Sequence, residues 1–186
     1  KTSISYLSNT IEDFRSFLDK DKVPSEININ HLIQKVLDIL NPSLNSSNIE
    51  VIKNIDDFEF VTIENDLIQI LMNIITNAKD ALIDLKDEEA RYIFINISKN
   101  QKNIVIEIFD NAMGIKDEII SRVFEPYFTT KHKSQGTGIG LYMSKILVDN
   151  NLKGNIAVEN HTFIYNNKEF KGAKFIVLLP IKLEKK

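Results

Sequence analysis

The 186-residue chain contains no cysteine, which excludes disulfide bonds and thiolate-bound metal sites. Its longest apolar runs, such as Phe175 to Pro180, are far shorter than the roughly 20 residues needed to span a bilayer, and no signal peptide is visible. The net charge is −3, so no basic surface field favours nucleic acid, and we expect no nucleic-acid partner. We predict a cytoplasmic protein.

The composition is that of an ordinary globular protein, with 43% hydrophobic and 26% charged residues. Its length suits one compact domain with a short appendage. The chain begins in mid-pattern at Lys1 rather than with methionine. We therefore interpret it as a piece of a longer protein, whose membrane anchor, if it has one, lies elsewhere.

Apolar residues near the N-terminus are spaced alternately three and four apart, as in a coiled coil or helical bundle. Such a helix either packs on its own domain or forms the end of a dimerising hairpin, and we favour the hairpin. We assign residues 1–22 to this dimerisation helix and residues 25–186 to the main domain, because the charged segment Asp19–Pro24 ends in proline. The apolar stripe consists of Ile4, Leu7, Ile11, Phe14 and Leu18.

The remaining periodicity mixes helices and strands without strict alternation, which predicts an α+β fold with helices on one face of a mixed sheet. The N-terminal helix precedes this fold. The predicted helices are Asn30–Leu40, capped by Asn30 and ended by Asn41-Pro42, then Glu64–Leu85, a short Asp117–Phe124, and Gly138–Asn150. The predicted strands are Ile49–Ile55, Phe58–Val61, Tyr92–Ser98, Ile104–Phe109, Ile156–Glu159 and Ala173–Leu179.

Two asparagines on the long helix form the first candidate cluster. Asn73 and Asn77 are four residues apart, so their side chains lie one above the other beside the apolar stripe. Amide oxygens are suitable ligands for Mg²⁺, which proteins usually share with substrate phosphates. Alone, the signal is weak, because two asparagines on a helix are more often solvated or capping side chains.

A carboxylate directly after an apolar strand forms the second cluster, Asp110-Asn111-Ala112-Met113-Gly114-Ile115. Asp110 could accept a hydrogen bond from the exocyclic amine of adenine, and Gly114 would allow the backbone to approach the base. The alternative is an Asp-Asn turn that simply ends the strand.

The third cluster is the glycine-rich stretch Gly136-Thr137-Gly138-Ile139-Gly140-Leu141, which opens a helix. Closely spaced glycines allow backbone N–H groups to approach phosphates. The spacing is neither that of a P-loop nor that of a Rossmann fingerprint. Before it lies Phe124–Lys131, whose aromatics could anchor a mobile lid, and Lys131 and Lys133 either reach a phosphate tail or are solvated.

In this order, the Asn box, Asp-x-x-x-Gly, Phe-Glu-Pro-x-Phe and Gly-x-Gly-x-Gly resemble the ATP-binding domain of sensor histidine kinases. That domain belongs to the superfamily shared with gyrase, the Hsp90 chaperones and the MutL proteins. The resemblance covers about Ser25 to Ile181. It implies a two-layer α/β sandwich, the Bergerat fold, with ATP between the long helix and the lid. It also implies Mg²⁺ on Asn77, adenine on Asp110, and phosphates at the Gly136 to Gly140 turn.

By this resemblance, Asn73 and Asn77 are the expected catalytic residues. ATPase relatives have a water-activating glutamate at the position of Asn73, and an amide is a poor general base, which favours phosphoryl transfer over hydrolysis. Ala112 replaces a glycine of the family, and Asp80 occupies a site that is basic in some kinases. The expected nucleotide-contacting residues are Asn73, Asn77, Asp80, Asp110, Gly114, Ile115, Phe128, Lys131, Gly136, Thr137, Gly138, Ile139, Gly140 and Leu141.

The three histidines, His31, His132 and His161, lack the sequence context of a phosphoacceptor, so we expect the acceptor to lie upstream of this fragment. The expected partners are therefore the acceptor-bearing dimerisation domain of the same protein and a response regulator receiver domain, with a homodimer in the full-length protein. Two alternatives stay open. One is an ATP-gated ATPase or chaperone-like module, and the other is a catalytically silent interaction domain.

Overall fold

The computed structural model describes residues 23–85, 89–131 and 136–183. The predicted dimerisation helix of residues 1–22 lies outside this part of the chain. None of the helices within the described ranges is both long and apolar enough to cross a membrane.

The secondary-structure elements, in chain order, are β1 Ser25–Asn28, α1 Ile29–Ser46, β2 Ile49–Ile55, β3 Glu59–Thr62, α2 Glu64–Ile83, β4 Arg91–Lys99, β5 Asn103–Asp110, α3 Asp117–Ile120, α4 Gly140–Ile146, a π-helical turn Leu147–Asn151, β6 Asn155–Tyr165 and β7 Lys168–Pro180.

The main sheet has five strands in the order β2-β4-β5-β7-β6. Strands β2 and β4 are parallel, whereas the other three neighbouring pairs are antiparallel. Strands β1 and β3 form a separate antiparallel pair. The predicted α+β architecture, with helices on one face of a mixed sheet, is confirmed.

Helix α2 packs its apolar stripe against the sheet. Alternate residues of a strand point to the same face, and the inward residues of β4, Ile93, Ile95 and Ile97, are all buried. Burial of one such side chain contributes about 1.5–3 kcal/mol, so the rotation of the helix about its axis is firmly set. The predicted stripe is buried throughout: Leu67, Ile70, Leu71, Ile74, Ala78 and Leu82. This rotation places the asparagine pair on the flank of the helix.

Helix α1 differs from the prediction at both ends. Its N-cap is Asn28 rather than Asn30, because the Asn28 side chain accepts from the backbone N–H groups of Asn30 and His31. The helix also continues through Pro42, although proline removes one helical hydrogen bond. Leu44 is fully buried and holds this last turn in the core.

The β6–β7 hairpin is longer than predicted, because its turn was not recognised from the sequence. Asn166 and Asn167 both have positive φ, at 50° and 59°, which suits a tight two-residue hairpin turn. The added strand residues build an aromatic cluster with β4 and β5, in which the rings of Phe94 and Phe109 stack 4.8 Å apart. Other members are Tyr92, Phe163, Tyr165 and Phe170. The cluster steadies the end of β5, immediately before Asp110.

The predicted last helix, Gly138–Asn150, starts two residues later and ends in the π-helical turn. Asn151 in this turn donates to the carboxylate of Asp66, which is fully buried on α2, at 2.7 Å. The π-helical turn thereby ties α4 to α2. The predicted short helix Asp117–Phe124 is confined to Asp117–Ile120.

Candidate functional site

A cavity of about 1020 Å³ opens beside α2, and residues of all three sequence clusters line it. Its size is at the upper end of the usual range for small-molecule and cofactor sites. The predicted residues in its wall are Asn73, Asn77, Asp80, Asp110, Ile115, Phe128, Lys131, Gly136, Thr137, Gly138, Gly140 and Leu141. The fold therefore brings together groups that are up to 68 positions apart in the sequence, from Asn73 to Leu141.

Two predicted residues do not line the cavity. The Ile139 side chain is buried, and the backbone N–H of Ile139 donates to the Thr137 hydroxyl at 3.2 Å. Gly114 lies against Asn160, at the back of the loop that follows β5. Lys133 and His132 fall outside the described residues.

Sequence reasoning missed an apolar part of the wall, formed by Ile119, Val123, Ala173 and Phe175. Ala173 and Phe175 alternate along β7, and their inward direction follows from the strand period once the strand is recognised. The pocket thus combines a polar side on α2 with an apolar side on β7, which suits a ligand that has both a flat base and charged phosphates.

Asn73 links α2 to the start of α4. Its amide nitrogen donates to the Gly140 carbonyl at 3.1 Å and to the Ser144 hydroxyl at 3.0 Å. Ser144 is fully buried and also donates to the Gly140 carbonyl. The side chain of Asn73 therefore holds the glycine-rich turn at one side of the cavity.

Asn77 and Asp80 lie three residues apart on the half-buried flank of the same helix, and both contact Lys131. The Lys131 ammonium is 3.1 Å from the Asn77 Oδ1 and 2.6 Å from the Asp80 Oδ2. An amide oxygen beside a carboxylate is the hard donor set that Mg²⁺ prefers, so this pair fits the ion. Because two cations repel each other, Lys131 and Mg²⁺ would compete for the Asn77 oxygen.

Asp110 is a buried carboxylate, only 2% exposed, at the end of β5. Its Oδ1 accepts from the backbone N–H groups of Ala112, at 2.8 Å, and of Ala173, at 3.3 Å. Burial raises the pKa of Asp110 to about 6, while the two backbone hydrogen bonds act in the opposite direction. At neutral pH the group is mainly ionised, so it offers a strong hydrogen-bond acceptor in the cavity wall.

Gly138 is required where the glycine-rich turn meets the backbone of Tyr127 and Phe128. Its φ is +65°, and a Cβ there would lie 2.4 Å from the Tyr127 backbone carbon and 2.5 Å from the Phe128 carbonyl oxygen. Tyr127 in turn donates its N–H to the Gly138 carbonyl at 3.0 Å. This contact joins the two chain segments that flank residues 129–137.

The comparisons with known proteins agree with this geometry. Residues 62–183 match the family described as histidine kinase-, DNA gyrase B- and HSP90-like ATPase. Sporulation kinase E of Bacillus subtilis is 30% identical over 160 residues, which cover 84% of this chain and 20% of that protein. Two-component sensor PprA of Pseudomonas aeruginosa is 32% identical over 119 residues, 63% of this chain and 12% of that protein. The chain therefore spans about a fifth or less of these curated relatives.

Among solved structures, the catalytic domain of histidine kinase ThkA superposes with a TM-score of 0.71 at 25% identity, covering 86% of this chain and 99% of that one. ThkA in complex with the response regulator protein TrrA gives a TM-score of 0.73 at 22% identity, and the match covers 96% of this chain and 48% of that one. The family match, the shared fold and the cavity agree. The chain belongs to the histidine kinase-, DNA gyrase B- and HSP90-like ATPases and is an ATP-binding catalytic domain of the sensor histidine kinase type.

Proposed function

We propose that this domain binds Mg²⁺-ATP in the cavity and transfers the γ-phosphoryl group to a histidine on a dimerisation domain outside this chain. The observation that supports this proposal best is the convergence of Asn77, Asp110 and the Gly136–Gly140 turn around one cavity. A carboxylate, an amide oxygen and a glycine-rich backbone match the three parts of the ligand: base, metal and phosphates.

In this proposal, Asp110 accepts a hydrogen bond from the exocyclic amine of adenine, beside the apolar side chain of Ile115. Asn77 supplies the protein oxygen for Mg²⁺, whose charge would offset that of the phosphates. The backbone of the Gly136–Gly140 turn contacts the phosphates. Asn73 acts on the phosphates through Gly140, whose carbonyl its amide holds at 3.1 Å.

Transfer is favoured over hydrolysis because the site offers no carboxylate at position 73. The Asn73 amide cannot accept a proton usefully at neutral pH, and its nitrogen already donates to Gly140 and Ser144. An imidazole nitrogen needs less activation than water to form a bond to the γ-phosphorus. As that bond forms, the bond from the γ-phosphorus to the bridging oxygen breaks, and ADP leaves. Catalysis rests on positioning and electrostatics.

The whole protein's partners follow from the same proposal. ThkA, which shares the fold, has been solved with a response regulator. We propose that the parent of this chain likewise passes its phosphoryl group to a receiver domain, and that it dimerises through the region around residues 1–22 in the cytoplasm.

The direct test mixes this domain with γ-labelled ATP and a separately produced dimerisation domain of the parent protein. We expect acid-labile label on a histidine of the added domain and none on this chain. Steady phosphate release by the isolated chain would instead support the ATPase alternative. Absence of nucleotide binding in a calorimetric titration would support a silent interaction domain.

Replacing Lys131 with glutamine tests whether this lysine reaches the γ-phosphate. In the structure the Lys131 ammonium contacts Asn77 and Asp80 in the cavity wall. If Mg²⁺ binds the Asn77 oxygen, it displaces this ammonium, which can then turn toward the phosphates in the same cavity. We expect at least about a tenfold loss of ATP affinity with little change for ADP, since a hydrogen bond to a charged group contributes about 1.5–3 kcal/mol. Calorimetric titrations with each nucleotide give both values.

The matched control is Lys35→Gln, which removes a lysine ion-paired with Glu64 at 3.0 Å, outside the cavity wall. It should leave both affinities unchanged. If the Lys131 variant binds ATP as tightly as the unmodified protein does, Lys131 does not reach the γ-phosphate and only contacts Asn77 and Asp80.

A further inference from the structure

The loop between β5 and α3 contains a residue, Met113, in a backbone conformation that favours glycine. Met113 has a φ of 66° although it is not a glycine, and Gly114 follows with a φ of 81°. A non-glycine residue in this region costs of order 1–3 kcal/mol, so neighbouring structure must hold it. This loop separates Asp110 from Ile115, and both side chains line the cavity.

Two contacts with the β6–β7 hairpin support the loop: the Met113 N–H donates to the Lys171 carbonyl at 2.9 Å, and the side chain of Asn160 on β6 holds Ile115. The Asn160 Oδ1 accepts from the N–H of Ile115 at 2.8 Å, and the Asn160 Nδ2 donates to the carbonyl of Ile115 at 2.8 Å. The same nitrogen lies 3.4 Å from the Oδ1 of Asp117. One amide side chain thus pairs with both backbone groups of a single residue, as a neighbouring strand would. A carboxylate could accept but not donate in this way.

Gly114 makes this pairing possible. A Cβ at Gly114 would lie 2.4 Å from the Asn160 Oδ1, closer than atoms can approach. The absence of a side chain at Gly114 therefore admits Asn160. Asn160 on β6 lies opposite Ala173 on the neighbouring strand β7, and the N–H of Ala173 donates to Asp110. Asp110 and Ile115 are thus fixed to adjacent strands, one through Ala173 and the other through Asn160.

We propose that Asn160 is a positioning residue for the base of the nucleotide: it holds Ile115 in the cavity wall at a fixed offset from Asp110 and so sets affinity for adenine. This inference rests on the proposed binding of ATP in the cavity. It assigns Asn160 no role at the phosphates, because its contacts are with Ile115 and Asp117 and it is not in the cavity wall.

The test separates affinity for the base from affinity for the phosphates. A fluorescent ATP analogue is displaced with ADP and, separately, with inorganic tripolyphosphate, both in Mg²⁺. We expect Asn160→Ala to raise the inhibition constant of ADP about tenfold and to leave that of tripolyphosphate within twofold. Asn160→Asp, which keeps the size but loses the donor, should weaken ADP binding at least as much. Thr162→Ala, an exposed neighbour on β6, should change neither constant.

Unchanged ADP affinity in both Asn160 variants would overturn the inference while leaving the proposed function intact. Equal losses for ADP and tripolyphosphate would also overturn it, because they indicate a general structural role. If ADP fails to displace the analogue from the unmodified protein, ATP binding itself is refuted. Thermal unfolding of each variant confirms that the compared proteins are folded.

Discussion

Replacing Asp110 with asparagine is expected to stabilise the protein at neutral pH and to abolish most of its affinity for adenine nucleotides. The substitution should separate stability from nucleotide affinity, because burial of the carboxylate lowers the first and raises the second. The buried carboxylate is costly for the fold, whereas the ligand gains a strong acceptor in an environment of low polarity.

The stability effect follows from the direction of the pKa change. The pKa of Asp110 is raised from 3.8 to about 6, so the folded state favours the protonated form. Its contribution to stability is full below about pH 3.8 and is lost as the pH rises through about 6. At pH 7 the ionised group therefore costs up to about 3 kcal/mol. Asparagine keeps an oxygen for the N–H groups of Ala112 and Ala173 and carries no charge.

We expect Asp110→Asn to raise the free energy of unfolding at pH 7 by about 1–3 kcal/mol, which corresponds to several degrees in Tm. The gain should shrink as the pH falls below about 6. Chemical denaturation at pH 5 and pH 7 measures both values. Glu169→Gln makes the same change of charge on an exposed hairpin residue and should be neutral.

The binding effect has the opposite sign. With its oxygen held by the two backbone donors, the asparagine presents an amino group where the carboxylate offered an acceptor, and two donors then face each other. We expect at least a 100-fold loss of ATP affinity, since an unpaired buried polar group adds to the lost charged hydrogen bond. In the unmodified protein, ATP affinity should fall as the pH drops through about 6, and the variant should lack this dependence. Unaltered ATP affinity in the variant would refute the assignment of Asp110 to the base.

Local patterns predict those elements of the fold in which the sequence period and the buried surface agree. The predicted helix Glu64–Leu85 differs from α2 only at its end, which is Ile83. The prediction is close because the apolar stripe of the helix coincides with its buried face. The predicted bounds of strands β4 and β5 differ from the observed ones by one residue at each end, since alternation marks a strand with one face in the core.

One error arose where a distant contact overrides a local signal. Pro42 normally ends a helix, but burial of Leu44 keeps the last turn of α1 in the core. That burial is not visible in a window of neighbouring residues. Asn166 and Asn167, by contrast, are a local turn signal that the sequence analysis overlooked, and the Phe163 and Phe170 rings of the two strands pack together beside the turn.

The residues of the site likewise fall into those that a local pattern predicts and those whose role depends on a distant contact. The asparagine pair, Asp110 and the glycine-rich turn were recognisable because each sits at a characteristic offset within its own segment. Asn160 was not, because it is 45 positions from Ile115 and its importance depends on the pairing of β6 with β7. Gly114 was predicted to approach the base, but its close neighbour is the Asn160 side chain. Residues that position others carry little signal in their own segment.

Replacing Asn77 with alanine is the second substitution with a large expected effect. Asn77 is only partly buried on a helix flank, and alanine is the best helix former, so the fold should survive. Without its amide oxygen, the cavity loses the protein ligand proposed for Mg²⁺, and the charge of the phosphates is left without a fixed counter-ion. We expect the Mg²⁺-dependent part of ATP binding to disappear and transfer to the added dimerisation domain to fall at least 100-fold.

Calorimetric titration of ATP with Mg²⁺ and with a chelator separates the metal-dependent part of binding from the rest. Asn45→Ala, the same change on exposed helix α1 surface, should leave both titrations as in the unmodified protein. Asn77→Ala should then match the chelator titration even when Mg²⁺ is present, because Asp110 and the glycine-rich turn still hold the base and phosphates. Unchanged nucleotide affinity with Mg²⁺ would exclude Asn77 as its ligand and leave the Lys131 contact as its main role.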